Sequence, residues 1–294
     1  MPDRDDTRIF EEARPMLLGL AYRMLGSHAE AEDAVQDTFL RWQQADKDRI
    51  ENPAGWLTTI CTRRCIDLLR SAHRQRVDYV GTWLPEPMQT ASDDMVEKLE
   101  LSSSLTTAFL LMLERLTPKE RAAYLLHEIF EIDYPEIAGI LDMREAACRK
   151  LVSRARENVG REKVRHVTPA ETQERLLAAF QSAVAGGGTA QLVSLLSDDI
   201  ELSADGGGKV QTILHPLHGR ADVLDFVTRN LGAWWRSYRW IAADVNGGRG
   251  VILQQDGKPV AAVSFAYDAA GRATNIYIVR NPDKLLHLGA SVGR

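Results

Sequence analysis

The chain of 294 residues is 45% hydrophobic and carries a formal net charge of −5, a composition ordinary for globular proteins. Its length suits two or three domains, no apolar run approaches a membrane span, and the acidic start MPDRDDTRIFEE is unlike a secretory signal. The expectation is a cytoplasmic protein with no membrane partner, and three cysteines are too few and too oddly numbered for a disulfide framework.

The amino-terminal stretch reads as three helices. Phe10, Leu17, Leu18, Leu20, Ala21 and Leu25 recur at helical spacing, and Gly26 ends that run. A second helix is predicted over 29–44, with Val35, Phe39 and Trp42 on one side and Asp33, Gln36, Asp37 and Arg41 toward the polar side. On composition alone that polar side is a solvent face. Asn52 and Pro53 give the third helix a cap and a first-turn proline. Leu57, Cys61, Cys65, Leu68 and Ala72 project to one side of it. No further cysteine or histidine at metal spacing lies nearby, so the two cysteines are read as core. Arg63, Asp67, Arg70 and Arg74 project to the other side, and from Arg63 to Arg76 there are five arginines and one aspartate.

Residues 77–97 break the helical pattern with Gly81, Pro85 and Pro87, then turn acidic. The proline pair favours an extended, semi-rigid path. Trp83 and Leu84 beside it would waste apolar surface if solvated, so they are expected to dock on another part of the protein, the carboxy-terminal domain.

From Thr117 to Val159 three helices follow in close succession. Thr117 to Glu120 and Asp133 to Glu136 read as capping boxes, each with an early proline. Asp142 and Met143 make a tight turn, Asp142 and Glu145 form a further box, and a helix begins at Arg144. Cys148, Leu151, Val152, Ala155 and Val159 project to one side; Ala146, Arg149, Lys150, Ser153 and Arg156 project to the other. Between Arg144 and Arg165 eight Lys/Arg stand against three Glu, a local reversal of sign in an acidic chain. Two short helices, the second with long cations separated by small residues, are the pattern of a helix-turn-helix DNA reader. Two basic helices far apart in sequence indicate two nucleic-acid contacts.

The remaining residues suffice for another domain. Thr168 to Glu171 reads as a capping box opening a helix, Gly186 to Gly188 break it, and a short helix surrounds Leu192 to Leu196. A strand over 200–203, a helix over 222–235 and strands over 238–245, 250–255, 259–267 and 274–279 predict an α+β cone with a curved antiparallel sheet. Asp205-Gly206-Gly207-Gly208-Lys209 lacks Walker spacing and reads as a mobile loop between strands. Lys209, Asp205, Asp283 and Lys284 are expected to form surface ion pairs that tune domain position. His215, His218 and Asp222 cluster in sequence, and Trp234-Trp235 invites a pocket, yet histidines beside Pro216 and Gly219 suit turns. Regulation or ligand sensing is favoured over catalysis, and no catalytic residue, metal or cofactor is assigned.

DAVQDTFLRW, then NPAGWLTTICTRRCIDLLR, then the helix-turn-helix resemble a sigma factor of the sigma-70 family, in its compact extracytoplasmic-function group. The WLPEP linker, DGGGK at 205–209 and Asn281-Pro282-Asp283-Lys284-Leu285 resemble the subgroup with a fused SnoaL-like domain of the nuclear-transport-factor superfamily. The resemblance implies a multidomain fold. Sigma region 2 spans 7–76, a linker 77–97, sigma region 4 spans 98–165, and a regulatory α+β SnoaL-like cone 168–294. It implies that Asp33, Gln36, Asp37 and Arg41 bind the β′ clamp helices of core RNA polymerase, with the β flap as a second contact. Arg63, Asp67, Arg70, Arg74 and Arg76 would serve the −10 element of promoter DNA; Arg144, Arg149, Lys150, Ser153 and Arg156 would serve the −35 element. Trp83, Leu84, Pro85, Asp205, Gly206, Gly207, Gly208, Lys209, Asn281, Pro282, Asp283, Lys284 and Leu285 would carry regulation in cis, with no separate anti-sigma factor required. The alternative is a helix-turn-helix regulator with a small-molecule-sensing domain.

Overall fold

The computed structural model describes residues 4–77, 79–90, 102–159 and 168–288. They fall into two compact units. The first comprises Met1–Val77, Glu97–Ser104 and Leu110–Val164, and the second comprises Asp78–Val96, Leu105–Phe109 and Arg165–Arg294. No helix among the described residues is long and apolar enough to cross a membrane. The acidic stretch 91–97 and residues 160–165 lie outside the described residues.

The first unit is helical. Helix α1 (Arg4–Leu25) ends where Gly26 adopts a φ of 68° and donates its amide to Tyr22. Ser27 then caps α2 (His28–Gln44) by accepting from the Glu30 amide. Asn52 caps α3 (Pro53–Val77) by accepting from the Gly55 amide. Leu17, Leu20, Trp42, Leu57 and both cysteines of α3 are buried at the junction of these helices. Each such leucine contributes about 1.5–3 kcal/mol relative to exposure. The Cys61 thiol beside it, together with burial, holds the Cys65 thiol well above the ordinary range, which suits inert core packing.

After α4 (Thr107–Leu113) comes α5 (Pro118–Glu128), opened by a full capping box. Thr117 Oγ1 accepts from the Glu120 amide, and Glu120 Oε2 accepts from the Thr117 amide. Asp133 caps α6 (Tyr134–Leu141) by accepting from the Glu136 amide. Asp142 ends α6 in the left-handed region, at φ 50° and ψ 65°, and α7 (Glu145–Val159) follows. The box expected of Asp142 and Glu145 gives way to this role, because Glu145 instead accepts from Arg149.

Among the described residues of this unit two arginines are buried. Arg23, 1% exposed, donates Nη1 to the Gly19 carbonyl and Nε to Ser104, lies 5.7 Å from the Phe130 ring, and is lowered by burial to about 10. Arg121, on α5, donates Nη1 to the Met24 carbonyl at 2.6 Å and to Glu114 at 2.8 Å. The helix-turn-helix is thereby joined to α1 inside one unit.

The second unit is α+β. Helices α8 (Ala170–Val184) and α9 (Ala190–Leu195) precede strand β1 (Leu196–Asp205) and a short β2 (Leu217–His218). A helical run follows: α10 (Arg220–Asp225), a π-helical turn over Phe226–Leu231, and α11 (Gly232–Trp235). Strands β3 (Arg239–Val245), β4 (Gly248–Gln255), β5 (Lys258–Tyr267) and β6 (Ala273–Val279) complete a sheet of order β2-β1-β6-β5-β4-β3. The β1–β6 pair is parallel, which corrects the all-antiparallel expectation. The two-residue turns Asn246-Gly247 and Asp256-Gly257 both have positive φ, the geometry that matches strand twist in tight hairpins. Phe180, Leu192, Leu202, Val227, Trp235 and Leu253 fill the space between helices and sheet. At the start of α8 the predicted capping box does not form, since no side chain caps that helix and Gln173 donates to the Thr168 carbonyl.

Candidate nucleic-acid interface

On α2 the apolar residues Ala31, Ala34, Val35 and Trp42 are buried, so the helix must turn its remaining side outward. Asp33, Gln36 and Arg41 are exposed there. Asp37 is half-buried and pairs at 2.7 Å with Arg64 of α3.

The basic side of α3 is less open than its projection suggests. Arg63 donates Nε to the Ile140 carbonyl at 2.9 Å and Nη2 to the Gly139 carbonyl at 3.2 Å. These are last-turn carbonyls of α6, the end of a helix where partial negative charge collects and cations are favoured. Lys119 takes the next carbonyl, Leu141, at 3.3 Å. Arg70 pairs with Asp67 at 3.3 Å on the exposed side. The side chains of Arg74 and Arg76 lie outside the described residues.

On α7 Cys148, Val152, Ala155 and Val159 face the interior of the unit. Opposite them Ala146, Arg149, Lys150, Ser153 and Arg154 are exposed, and so is Arg144 just before the helix. Arg156 departs from the expectation. It is half-buried, donates Nε to Glu128 at 2.8 Å across to α5, and its guanidinium is raised above the usual arginine range by that hydrogen bond. Arg154, by its angle, lies nearer the centre of the exposed face than Arg156 does. Arg149 donates Nε and Nη2 to Glu145 at 3.0 and 2.5 Å, and its guanidinium carbon lies 4.4 Å from the centroid of the Tyr134 ring.

A third cluster lies in the second unit, around Asp205 at the end of β1. Its carboxylate is fully buried. Oδ1 accepts from the Tyr79 hydroxyl at 2.6 Å and from the Gly207 amide at 3.0 Å; Oδ2 accepts from the Leu84 amide at 2.9 Å and from Lys284 Nζ at 2.7 Å. Four donors leave this carboxylate well satisfied, as a buried charge requires. Lys284 also donates to the Leu84 carbonyl at 2.5 Å and lies 4.5 Å from the Trp83 ring centroid. Burial, and then the hydrogen bond to Asp205, push the Tyr79 phenol up. Asn281 donates Nδ2 to the Tyr79 hydroxyl at 2.9 Å.

Leu84, Pro85 and Leu285 are buried and Trp83 is half-buried; Pro282 and Asp283 are exposed. Lys209 and Asp283 form the exposed pair at 2.5 Å, whereas Asp205 with Lys284 is a buried pair, not the surface pair expected. The glycine run is closely packed at its first two positions. A Cβ on Gly206 would come within 2.6 Å of the Val210 carbonyl oxygen, and one on Gly207, at φ 59°, within 2.3 Å of Asn281. Further along, Met88 to Thr90 extend the edge of the sheet. Gln89 bridges Val245, the Thr90 amide donates to Asp244 at 2.9 Å, and the Asn246 amide donates to Met88 at 2.8 Å. The structure thus brings 79–90, 205–207 and 281–285 into one site.

Elsewhere, Cys61, Cys65 and Cys148 are free thiols, and no group of metal-ligating side chains occurs among the described residues. His218 lies in β2, not a turn, with Nδ1 3.6 Å from Glu201.

Residues 9–75 match sigma-70 region 2, and residues 106–159 match sigma-70 region 4. The chain is 37% identical over 221 residues to the ECF RNA polymerase sigma factor SigJ of Mycobacterium tuberculosis, covering 74% of this chain and 70% of that one. It is 30% identical over 284 residues to SigI of the same species, covering 95% and 94% of the two chains. The crystal structure of M. tuberculosis SigJ superposes with a TM-score of 0.74 at 31% identity, covering 94% of this chain and 96% of that one.

Proposed function

The chain belongs to the extracytoplasmic-function group of the sigma-70 family, factors that direct core RNA polymerase to promoter DNA and initiate transcription, and on that premise we propose which surface performs each step. The exposed side of α2, with Asp33, Gln36, Asp37 and Arg41, docks on the β′ clamp helices, and the helices of residues 107–159 meet the β flap. Helix α3 serves the −10 element through Arg63, Asp67, Arg70, Arg74 and Arg76, which suit the held, unstacked strand of an open promoter. Helix α7 serves the −35 duplex through Arg144, Arg149, Lys150 and Ser153, joined by Arg154. Arg156 supports that helix from behind. The protein works in the cytoplasm, beside polymerase.

The second unit regulates these steps in cis, and no separate anti-sigma factor is required. One observation carries this reading. The residues that connect the two promoter-reading regions are seated on the sheet unit through the buried Asp205–Lys284 pair and the Leu84 amide and carbonyl. Arg63 adds a requirement of its own, because a guanidinium held by α6 carbonyls must leave them before it can meet DNA. Replacing the pair together, Asp205→Asn with Lys284→Met, removes both buried charges without stranding either. Initiation by core polymerase reconstituted with this full-length variant is expected to change several-fold at a cognate promoter. Unchanged initiation would remove the regulatory reading and leave the initiation role standing. A regulator acting without polymerase would leave the region 2 match over 9–75 without a purpose.

A further inference from the structure

The helical run that leads into β3 turns cations and an indole outward, with no carboxylate among them. Phe226, Val227, Leu231 and Trp235 are buried, whereas Arg229, Asn230, Ala233, Trp234, Arg236 and Ser237 are exposed. The exposed positions recur three and four apart, so they share one side of the run. Arg239, the first residue of β3, is exposed just beyond them. From residue 226 to residue 243 the chain carries three arginines and neither aspartate nor glutamate. Arg229 is held by Asp225, at 2.8 Å from Nε to Oδ1. Arg236 and Arg239 make no ion pair or hydrogen bond among the described residues, while Arg220, Arg249 and Arg272 of the same unit each hold a carboxylate. Trp234 is 38% exposed and meets Phe226 with 5.9 Å between ring centroids and 80° between planes. Such a T-shaped contact takes at most one face of the indole and fixes its tilt.

A single exposed apolar residue is ordinary on any surface. A held indole beside two unpaired guanidiniums has a chemistry of its own. Guanidiniums fork onto phosphate oxygens, and an open ring face stacks on a base that has left its neighbours. Duplex DNA keeps its bases stacked and shows only their edges, so this combination suits a single strand. An acidic protein surface would use the cations and leave the ring idle. A lipid surface needs a broad apolar side, and the residues around Trp234 are Asn230, Ala233 and Ser237.

We propose that Trp234, Arg236 and Arg239 form a further nucleic-acid contact, which holds single-stranded DNA of the opened promoter with a base on the Trp234 ring and phosphates on the two arginines. The inference rests on the initiation role, not on the surfaces assigned to α3 and α7. The test uses the full-length protein with a fluorescent single-stranded oligonucleotide of promoter sequence, titrated across a salt series, and then open-complex lifetime with core polymerase. Trp234→Ala lowers affinity for the strand about 10-fold, and Trp234→Phe keeps most of it, because stacking needs a ring. Arg236→Ala and Arg239→Ala each flatten the salt slope by about 0.7. Lys258→Ala, at an exposed lysine that opens β5, leaves the slope as it was. Affinity for the matching duplex is unmoved by Trp234→Ala, and the open complex formed with that variant decays several-fold faster. Unaltered strand affinity in Trp234→Ala overturns the proposal, and so does an equal loss on strand and duplex. Binding to phosphatidylglycerol vesicles that vanishes in Arg236→Ala and Arg239→Ala, with the strand still bound, gives the surface to lipid and overturns it too. Weakened strand binding with an unchanged open-complex lifetime overturns the opened promoter as the occupant.

Discussion

Helices α3 and α7 are alike in sequence and unlike in what surrounds them. Each sets an apolar side against its neighbours and a cationic side away from them. On α3 the described cations already have partners: Arg63 holds carbonyls 76 and 77 positions further along the chain, Arg64 holds Asp37, and Arg70 holds Asp67. On α7 Lys150 and Arg154 are exposed, and Arg149 is braced by its own helix and by Tyr134. An angle on a helical wheel therefore tells which way a charge leaves the axis and nothing about what meets it.

The strongest way to break this contrast is to remove what holds the helix-turn-helix against α1. Arg121→Met strips the donor shared by the Met24 carbonyl and Glu114, and should cost about 2–3 kcal/mol of stability in urea unfolding. A midpoint unmoved by this change would mean that the α1–α5 junction is not held through Arg121. Next comes the pair Arg63→Ala and Arg70→Ala. Both should weaken promoter binding, but only the first uncaps α6, where losing a charged hydrogen bond is worth about 1.5–3 kcal/mol before exposure discounts it. Hydrogen exchange across 134–141 should quicken in the first variant alone; equal exchange in both would erase the distinction.

A smaller separation is expected within α7. Lys150→Ala should lower promoter affinity and reduce the salt slope by about one, whereas Arg156→Ala should leave the slope and cost about 1 kcal/mol of thermal stability through its lost contact with Glu128. The smallest effect at neutral pH concerns the second unit. The phenols of Tyr79 and Tyr267 are both raised, chiefly by burial, so the folded chain keeps these protons longer than the unfolded chain does. Above about pH 10, where an unfolded phenol ionises, the unfolded state therefore binds fewer protons and stability falls as pH rises further. Ultraviolet titration should show late phenolate transitions, and Tyr79→Phe should abolish one of them.

What could be read in advance was what depends on local spacing. Thr117 with Glu120, Asn52 with Pro53, and Gly26 after Leu25 mark helix ends because the partners lie within one turn. The faces of α3 and α7 follow from periodicity in the same way. The linker's apolar Trp83-Leu84, beside two prolines, signalled a missing partner. Long-range acceptors left no mark. Arg63 meets main-chain carbonyls, which every residue carries, and Arg156 meets Glu128 across 28 positions. Arg23 was legible in principle, as a lone charge inside the apolar run Leu20 to Leu25, yet an arginine is ordinarily assigned to the surface. The parallel β1–β6 pair and the π turn at Phe226–Leu231 have no compositional signature.

The seating of residues 79–90 along the sheet has a consequence for its border. An outermost strand offers unpaired main-chain groups to any other chain that can reach them. Met88 to Thr90 already occupy those at the end of β3, from Asp244 to Asn246, so that end of the sheet is closed to a further strand by residues more than 150 positions away in sequence.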